Sequence, residues 1–343
     1  MRGYKKVLVL ILTVFLLLVL LFRGEKKSNA KVENYEDVLA KEDAITREPF
    51  EFLSGNTNFD EVYKLAMSEV EDNIRDGTFI AGDFWSQMWT RDSSYAIELA
   101  AGLLHKKTAE STIRKCTETD KDFGKVWLQD ECGHFGGWPH LTDAIVGAQG
   151  AWSLFVITGN KKFLSWAYSI TKNSLKRAER DVYDANSGLF TGCSSFMESN
   201  SGYPDKYRHD GDMVGSTKAL STNILYYNGY KLGEKMGKIL EAPDSKISEL
   251  GTKAELLREA IRSRLWNSDA GYYSYFEDEN EELIEQMEGL GESLALLAPE
   301  FETNSARIES IFANTYRSEL GIPSLWPRFT RNNSKEDIAN YYQ

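Results

Sequence analysis

The chain has 343 residues, 42% hydrophobic and 12% aromatic, with 40 Lys and Arg against 52 Asp and Glu. This apolar content excludes wholesale disorder and suffices for one large domain or two ordinary ones. The net charge of −12 argues against nucleic acid, whose phosphates need clustered Lys and Arg. Three cysteines without a CxxC spacing and only four histidines give neither a disulfide framework nor a metal site, so no metal or organic cofactor is implied.

Positive charge is concentrated at the front, where residues 1–30 carry six Lys and Arg against Glu25. Between these charges Val7 to Phe22 is apolar except for Thr13. The run spans roughly 24 Å as a helix, slightly under a bilayer core. Residues 1–22 therefore read as a signal anchor, or as a signal peptide if cleaved, with the basic flank cytoplasmic and the body outside. The expected location is the cell membrane, single-pass, with the membrane as one partner; cleavage would make the protein secreted. Residues 23–50 are charged, lack an apolar period and read as a stalk. The functional domain is expected over 51–343.

From Asn58 the apolar residues recur with helical period. Phe59, Val62, Leu65, Ala66 and Val70 mark the first helix, and 92–104 the second. Further helices are expected near 107–116, 141–158, 160–180, 216–241, 245–266, 288–298 and 304–317, with a tenth starting at Ser334. Strand-like alternation is brief and local. Twice a helix runs into an Asp/Asn turn, a glycine and two apolar residues: at Gly188-Leu-Phe and at Gly271-Tyr-Tyr. Such repetition with aromatic loops suits a closed toroid of helical hairpins better than a solenoid. The expected fold is all-α.

The densest chemistry lies in Phe79 to Tyr95, which holds Trp85, Trp89, Arg91 and Asp92 just before an apolar helix. Asp92 could accept from two sugar hydroxyls while Arg91 orients it, and an indole covers the apolar face of a pyranose. The bland alternative makes Asp92 a helix cap and the tryptophans core. An acidic, aromatic-rich body suits a neutral glycan ligand better than a polyanion.

Trp89-Thr-Arg-Asp92 resembles the Trp-Thr-Arg-Asp of glucoamylases, whose Arg–Asp pair holds the sugar in the cleaved subsite. Met88-Trp-Thr-Arg-Asp-Ser93 is similar to the Met-Trp-Leu-Arg-Asp-Ser of exo-α-mannosidases. The fuller set is similar to bacterial six-hairpin glycosidases: Trp85 to Asp92, Thr142-Asp143, the helix ending at 157–160, Gly192-Cys-Ser-Ser-Phe196 and Leu220-Ser-Thr-Asn223. The resemblance spans roughly Phe79 to Arg328. It implies an (α/α)6 toroid and an exo-acting glycoside hydrolase that inverts an α-linked glucoside or mannoside. Two departures stand out. Cys193 replaces a Glu of the Gly-Glu-Ser-Ser-Phe loop, and only ten of twelve helices are expected before Gln343, so the last hairpin, with the catalytic base, is expected to be missing.

Hydrolysis needs one carboxyl to protonate the leaving oxygen and another to activate water. Glu198 is the expected acid, following the Gly188 turn in a loop; Asp212 is second, although an Asp-Gly turn also explains it. Glu288 and Glu292, four apart, are expected to share a helical face. Glu292 is the base candidate and Glu288 a sugar ligand. Trp138, His140 and Asp143 complete the expected substrate contacts, with a helix cap as the alternative for Asp143. A chain without its base would instead be a catalytically impaired or truncated carbohydrate-binding surface protein.

Overall fold

The structure, a computed structural model, describes residues 52–129, 137–195, 202–207, 210–301, 305–316 and 323–329. The chain divides into two compact units, Met1–Glu51 and Phe52–Gln343, and all described residues belong to the second. The expected anchor and stalk, and the helix expected from Ser334, lie outside the described residues. No described helix is long and apolar enough to cross a membrane.

Helices dominate, close to where the apolar period puts them. They are α1 (Thr57–Asp72), α2 (Thr90–Ala96, running on through a π-turn at Ile97–Ala101 to Leu104), α3 (Lys106–Lys115), α4 (Gly147–Thr158) and α5 (Lys161–Asp181). After these come the short α6 (Gly211–Ser216), α7 (Leu220–Ile239), α8 (Asp244–Leu265), α9 (Gly289–Leu297) and α10 (Ser305–Asn314). Helices α2, α4, α7 and α9 form an inner row, each packed against the next. Helices α3, α5 and α8 back it from outside. The apolar core fills the space between the rows, with Trp127, Phe163, Ile224, Tyr226 and Leu257 among its buried side chains. Gly150 lets α4 close on α2, since a Cβ there would lie 2.8 Å from the Ser94 backbone. Helix α1 buries no residue, and Phe59, Val62 and Leu65 are exposed.

Helix α1 and the three outer helices each run into a β-hairpin closed by a left-handed glycine. The hairpins are β1–β2 (Ile74–Arg75, Thr78–Phe79) after α1 and β3–β4 (Thr117–Asp120, Gly124–Trp127) after α3. After α5 comes β5–β6 (Tyr183–Asp184, Leu189–Phe190), and after α8 comes β8–β9 (Trp266–Asn267, Tyr272–Glu277). Their glycines, Gly77, Gly124, Gly188 and Gly271, have φ of 71, 77, 73 and 70°, which other residues adopt only with strain. Asp or Asn side chains complete the later turns: Asp120 accepts from the Asp122 and Phe123 amides, and Asn267 from those of Asp269 and Ala270. The repeat seen at Gly188 and Gly271 in the sequence thus has two more copies.

The all-α expectation needs correction. An antiparallel sheet joins β9 to β7 (Lys218–Ala219), β8 and β10 (Leu283–Glu288), and β10 to β11 (Leu325–Trp326). It covers a second core of Tyr203, Tyr207, Tyr275, Phe276 and Leu325. The helix expected over 216–241 is accordingly interrupted at Thr217, which is extended (φ −68°, ψ 154°), and resumes at Leu220.

Candidate active site

Helices α7 and α9 begin directly after strands β7 and β10, and the N-terminal ends of the inner helices α2, α4, α7 and α9 are joined by one run of hydrogen bonds. It starts at Arg91, buried in the first turn of α2. Its guanidinium lies 5.4 Å from the Trp89 ring centroid, with Nε 3.8 Å from Asp92 Oδ2, and a terminal nitrogen donates to Asp143 Oδ2 at 3.4 Å. Ser195 Oγ donates to the same Asp143 oxygen at 2.6 Å. The Ser195 amide donates to Ser221 Oγ at 2.9 Å, and the Ser221 amide to Glu288 Oε2 at 2.9 Å. Ser194 Oγ donates to Glu288 Oε1. Four inner-helix ends and the Gly192–Ser195 segment are thereby held as one rim.

The motif residues explain this convergence. Asn223 clamps Phe190, its amide donating to the Phe190 carbonyl at 3.0 Å and its oxygen accepting the Phe190 N–H at 2.8 Å. Thr222 Oγ1 donates to the Cys193 carbonyl, and Thr142 Oγ1 to that of Thr191. At Gly192, φ is +139° and a Cβ would meet Thr142 Oγ1 at 1.9 Å, so backbone conformation and space both require glycine. Gly192→Ala should cost about 2–3 kcal/mol, read as a lower urea midpoint; an unchanged midpoint would show that the loop relaxes freely.

Neither Asp92 nor Asp143 caps its helix: the N-cap positions are Trp89 and Thr142, without side-chain cap bonds. Asp143 is committed to Arg91 and Ser195. Asp92 is different. Its Oδ2 is buried with no hydrogen-bond partner among the described residues, and its pKa is raised by burial, against the opposing charge of Arg91. Trp85 is half exposed, with its ring centroid 5.8 Å from that of Trp89. Tyr95, one turn into α2, has its phenol held well above the ordinary range by burial and by the Asp143 carboxylate.

The remaining expected residues scatter. The Trp138 indole donates to Asp181 Oδ2 at 2.9 Å and lies under the Arg177 guanidinium at 4.1 Å, tying it to the end of α5. His140 Nε2 is 3.3 Å from Asp212 Oδ1, and the Asp212 side chain is 93% exposed. Glu198 lies outside the described residues. Glu288 and Glu292 do not form the expected shared helical face. Glu288 is the extended N-cap of α9 (φ −91°, ψ 114°) rather than a helical residue, so the four-residue rule does not apply. Glu288 joins the rim, whereas Glu292 is buried and accepts from the Tyr273 amide and, at 2.7 Å, from Arg307. Sequence reasoning missed Ser194, Ser195 and Ser221 as rim members, although the quoted motifs contain all three. Among the described residues no cluster of His, Cys, Asp or Glu could hold a metal ion.

Burial pushes the Glu288 carboxyl up from 4.5 to about 7, despite the bonds from Ser194 and Ser221. A raised carboxyl favours the protonated native state, so its stabilisation is complete below pH 4.5 and is lost as pH rises through 7. The loss should be on the order of 3 kcal/mol. Urea unfolding at pH 4.5 and 8 should show this slope in the parent and its removal in Glu288→Gln; parallel pH profiles would refute it.

No family model and no curated protein matches the sequence. Solved structures do match in fold. A GH63 mannosylglycerate hydrolase from Thermus thermophilus superposes with a TM-score of 0.55 at 13% identity, over 73% of this chain and 75% of that one. An uncharacterized conserved protein from the same organism gives 0.57 at 14%, over 76% and 78%. A GH78 rhamnosidase of Bacillus sp. GL1 gives 0.55 at 13%, over 75% of this chain but only 26% of that one, so the chain spans about a quarter of its length. At these identities the likeness is one of fold alone.

Proposed function

We propose that the chain is a glycoside hydrolase that removes units from the end of an α-linked glucoside or mannoside with inversion. The observation that carries this reading is the bonded rim from Arg91 to Glu288, fronted by Trp85 and Trp89 and offering a buried, unsatisfied Asp92 oxygen. That arrangement suits a terminal pyranose: rings for its C–H face and a carboxylate and guanidinium for its hydroxyls. The glycosidase names of two fold neighbours support it. Glu198, three residues beyond Ser195, is assigned as the acid, with Asp212 as the second carboxylate. Glu292 is committed to Arg307, and this favours a structural role for it over that of base. Residues 1–22 are assigned as the anchor or signal that carries 51–343 out of the cytoplasm.

A second reading, a carbohydrate-binding surface protein that hydrolyses little, is favoured by one specific observation. Asp143, Glu288 and Glu292 are all buried and bonded. Reducing-sugar release from α-linked gluco- and manno-oligosaccharides separates the two. The first reading expects turnover that Glu198→Gln abolishes on disaccharides but spares on glycosyl fluorides, whose leaving group needs no proton. Binding without turnover would favour the second reading; equal turnover by Glu198→Gln on a disaccharide would remove Glu198 as acid.

A further inference from the structure

A cavity of about 390 Å³ opens between the last turn of α8, the start of β9 and the first half of α10. It lies within the range of small-ligand sites. None of the rim residues from Arg91 to Glu288 lines it. Its walls include Arg262, Trp266, Tyr273, Arg307 and Ser310.

One wall is fixed. The Arg307 guanidinium donates to the Phe301 carbonyl at 2.6 Å and to Glu292 at 2.7 Å, and lies 4.9 Å from the Tyr273 ring centroid and 5.8 Å from that of Trp266. Arg307 and Tyr273 are buried, whereas Trp266 keeps 39% of its surface exposed against an edge-on Tyr273 at 5.0 Å. The indole is thus braced from behind with surface left for a ligand. Arg262 brings guanidinium donors and Ser310 a hydroxyl to the same space. None of the described lining residues is acidic.

We propose that this cavity is a second carbohydrate site, taking a neutral pyranose unit of a glycan, with the sugar's C–H face on Trp266 and its hydroxyl oxygens accepting from Arg262. An aromatic face beside guanidinium donors is a surface that an uncharged ring with equatorial hydroxyls complements. The ligand class rests on the glycan reading of the chain; the cavity and its braced indole do not. Such a site would hold a glycan strand away from the position of cleavage and raise its local concentration at the rim.

The test follows the indole N–H signals of the full chain by NMR, with the Trp266 signal identified by its loss in Trp266→Phe. The titrants are maltotriose and α-1,6-mannobiose, added to the parent and to Asp92→Ala. A saturable shift of the Trp266 signal is expected in both, with one sugar at least. Arg262→Ala should then weaken that saturation about tenfold; this variant serves should Trp266→Phe fail to fold. A Trp266 signal unmoved by both sugars while those of Trp85 and Trp89 respond overturns the second site alone. Silence of all three indoles overturns it together with the glycan reading. A Trp266 shift that grows linearly without saturating also overturns the proposal.

Discussion

Asp92→Ala is expected to weaken binding of a terminal monosaccharide by about 1.5–3 kcal/mol, roughly ten- to a hundredfold. The reason is local. Oδ2 of Asp92 is buried without a hydrogen-bond partner among the described residues, and Arg91 Nε at 3.8 Å is too distant to satisfy it. A sugar hydroxyl supplied there recovers a desolvation cost that the apo chain already bears. Burial raises the carboxyl's pKa, so affinity should also fall on acidification at a higher pH than for an ordinary Asp, because the protonated form accepts more weakly. Calorimetric titration with methyl α-D-glucopyranoside and methyl α-D-mannopyranoside measures both effects. A folded variant that binds as well as the parent would leave Asp92 no part in recognition.

The largest stability effect is expected at the buried Glu292–Arg307 pair. Arg307→Ala would leave Glu292, with a side chain only 3% exposed, without its cation. Removing one partner of a buried pair costs about 3–5 kcal/mol, whereas replacing both with apolar residues is often near neutral. Burial already raises the Glu292 pKa, and Arg307 opposes that shift. Without Arg307 the carboxyl protonates more readily, so the loss should shrink at low pH. Urea midpoints of Arg307→Ala and of the double variant Arg307→Met, Glu292→Leu test the account. Equal destabilisation by the single and double variants would show packing, not charge, to be what the pair supplies.

The helices were legible because apolar residues recur at 3.6 spacing, although in α1 that stripe, Phe59, Val62 and Leu65, is exposed rather than inner-facing. The sheet was not. All six residues of β9, Tyr272 to Glu277, are buried, so the strand reads as a continuous aromatic run without the alternation that marks a half-exposed strand. Glu288 then looked helical, when it ends β10. Two of the four helix-to-hairpin turns escaped notice because their turn lengths differ: Asp76-Gly77 closes a tight loop, and Asp120 to Gly124 a wider one. The quoted motif segments at Arg91, Asp143, Ser194-Ser195 and Ser221 do meet along the rim. What they could not convey is which oxygen each hydroxyl meets, because Ser195 to Asp143 and Ser194 to Glu288 join residues 52 and 94 positions apart.

The most direct measurement of the central claim is proton NMR of freshly released sugar as the full chain acts on an α-linked gluco- or manno-disaccharide. Inversion requires the β-anomer to appear first, with the α-anomer following only by mutarotation. Initial release of the α-anomer, or no release alongside no detectable binding of either sugar, would contradict the account.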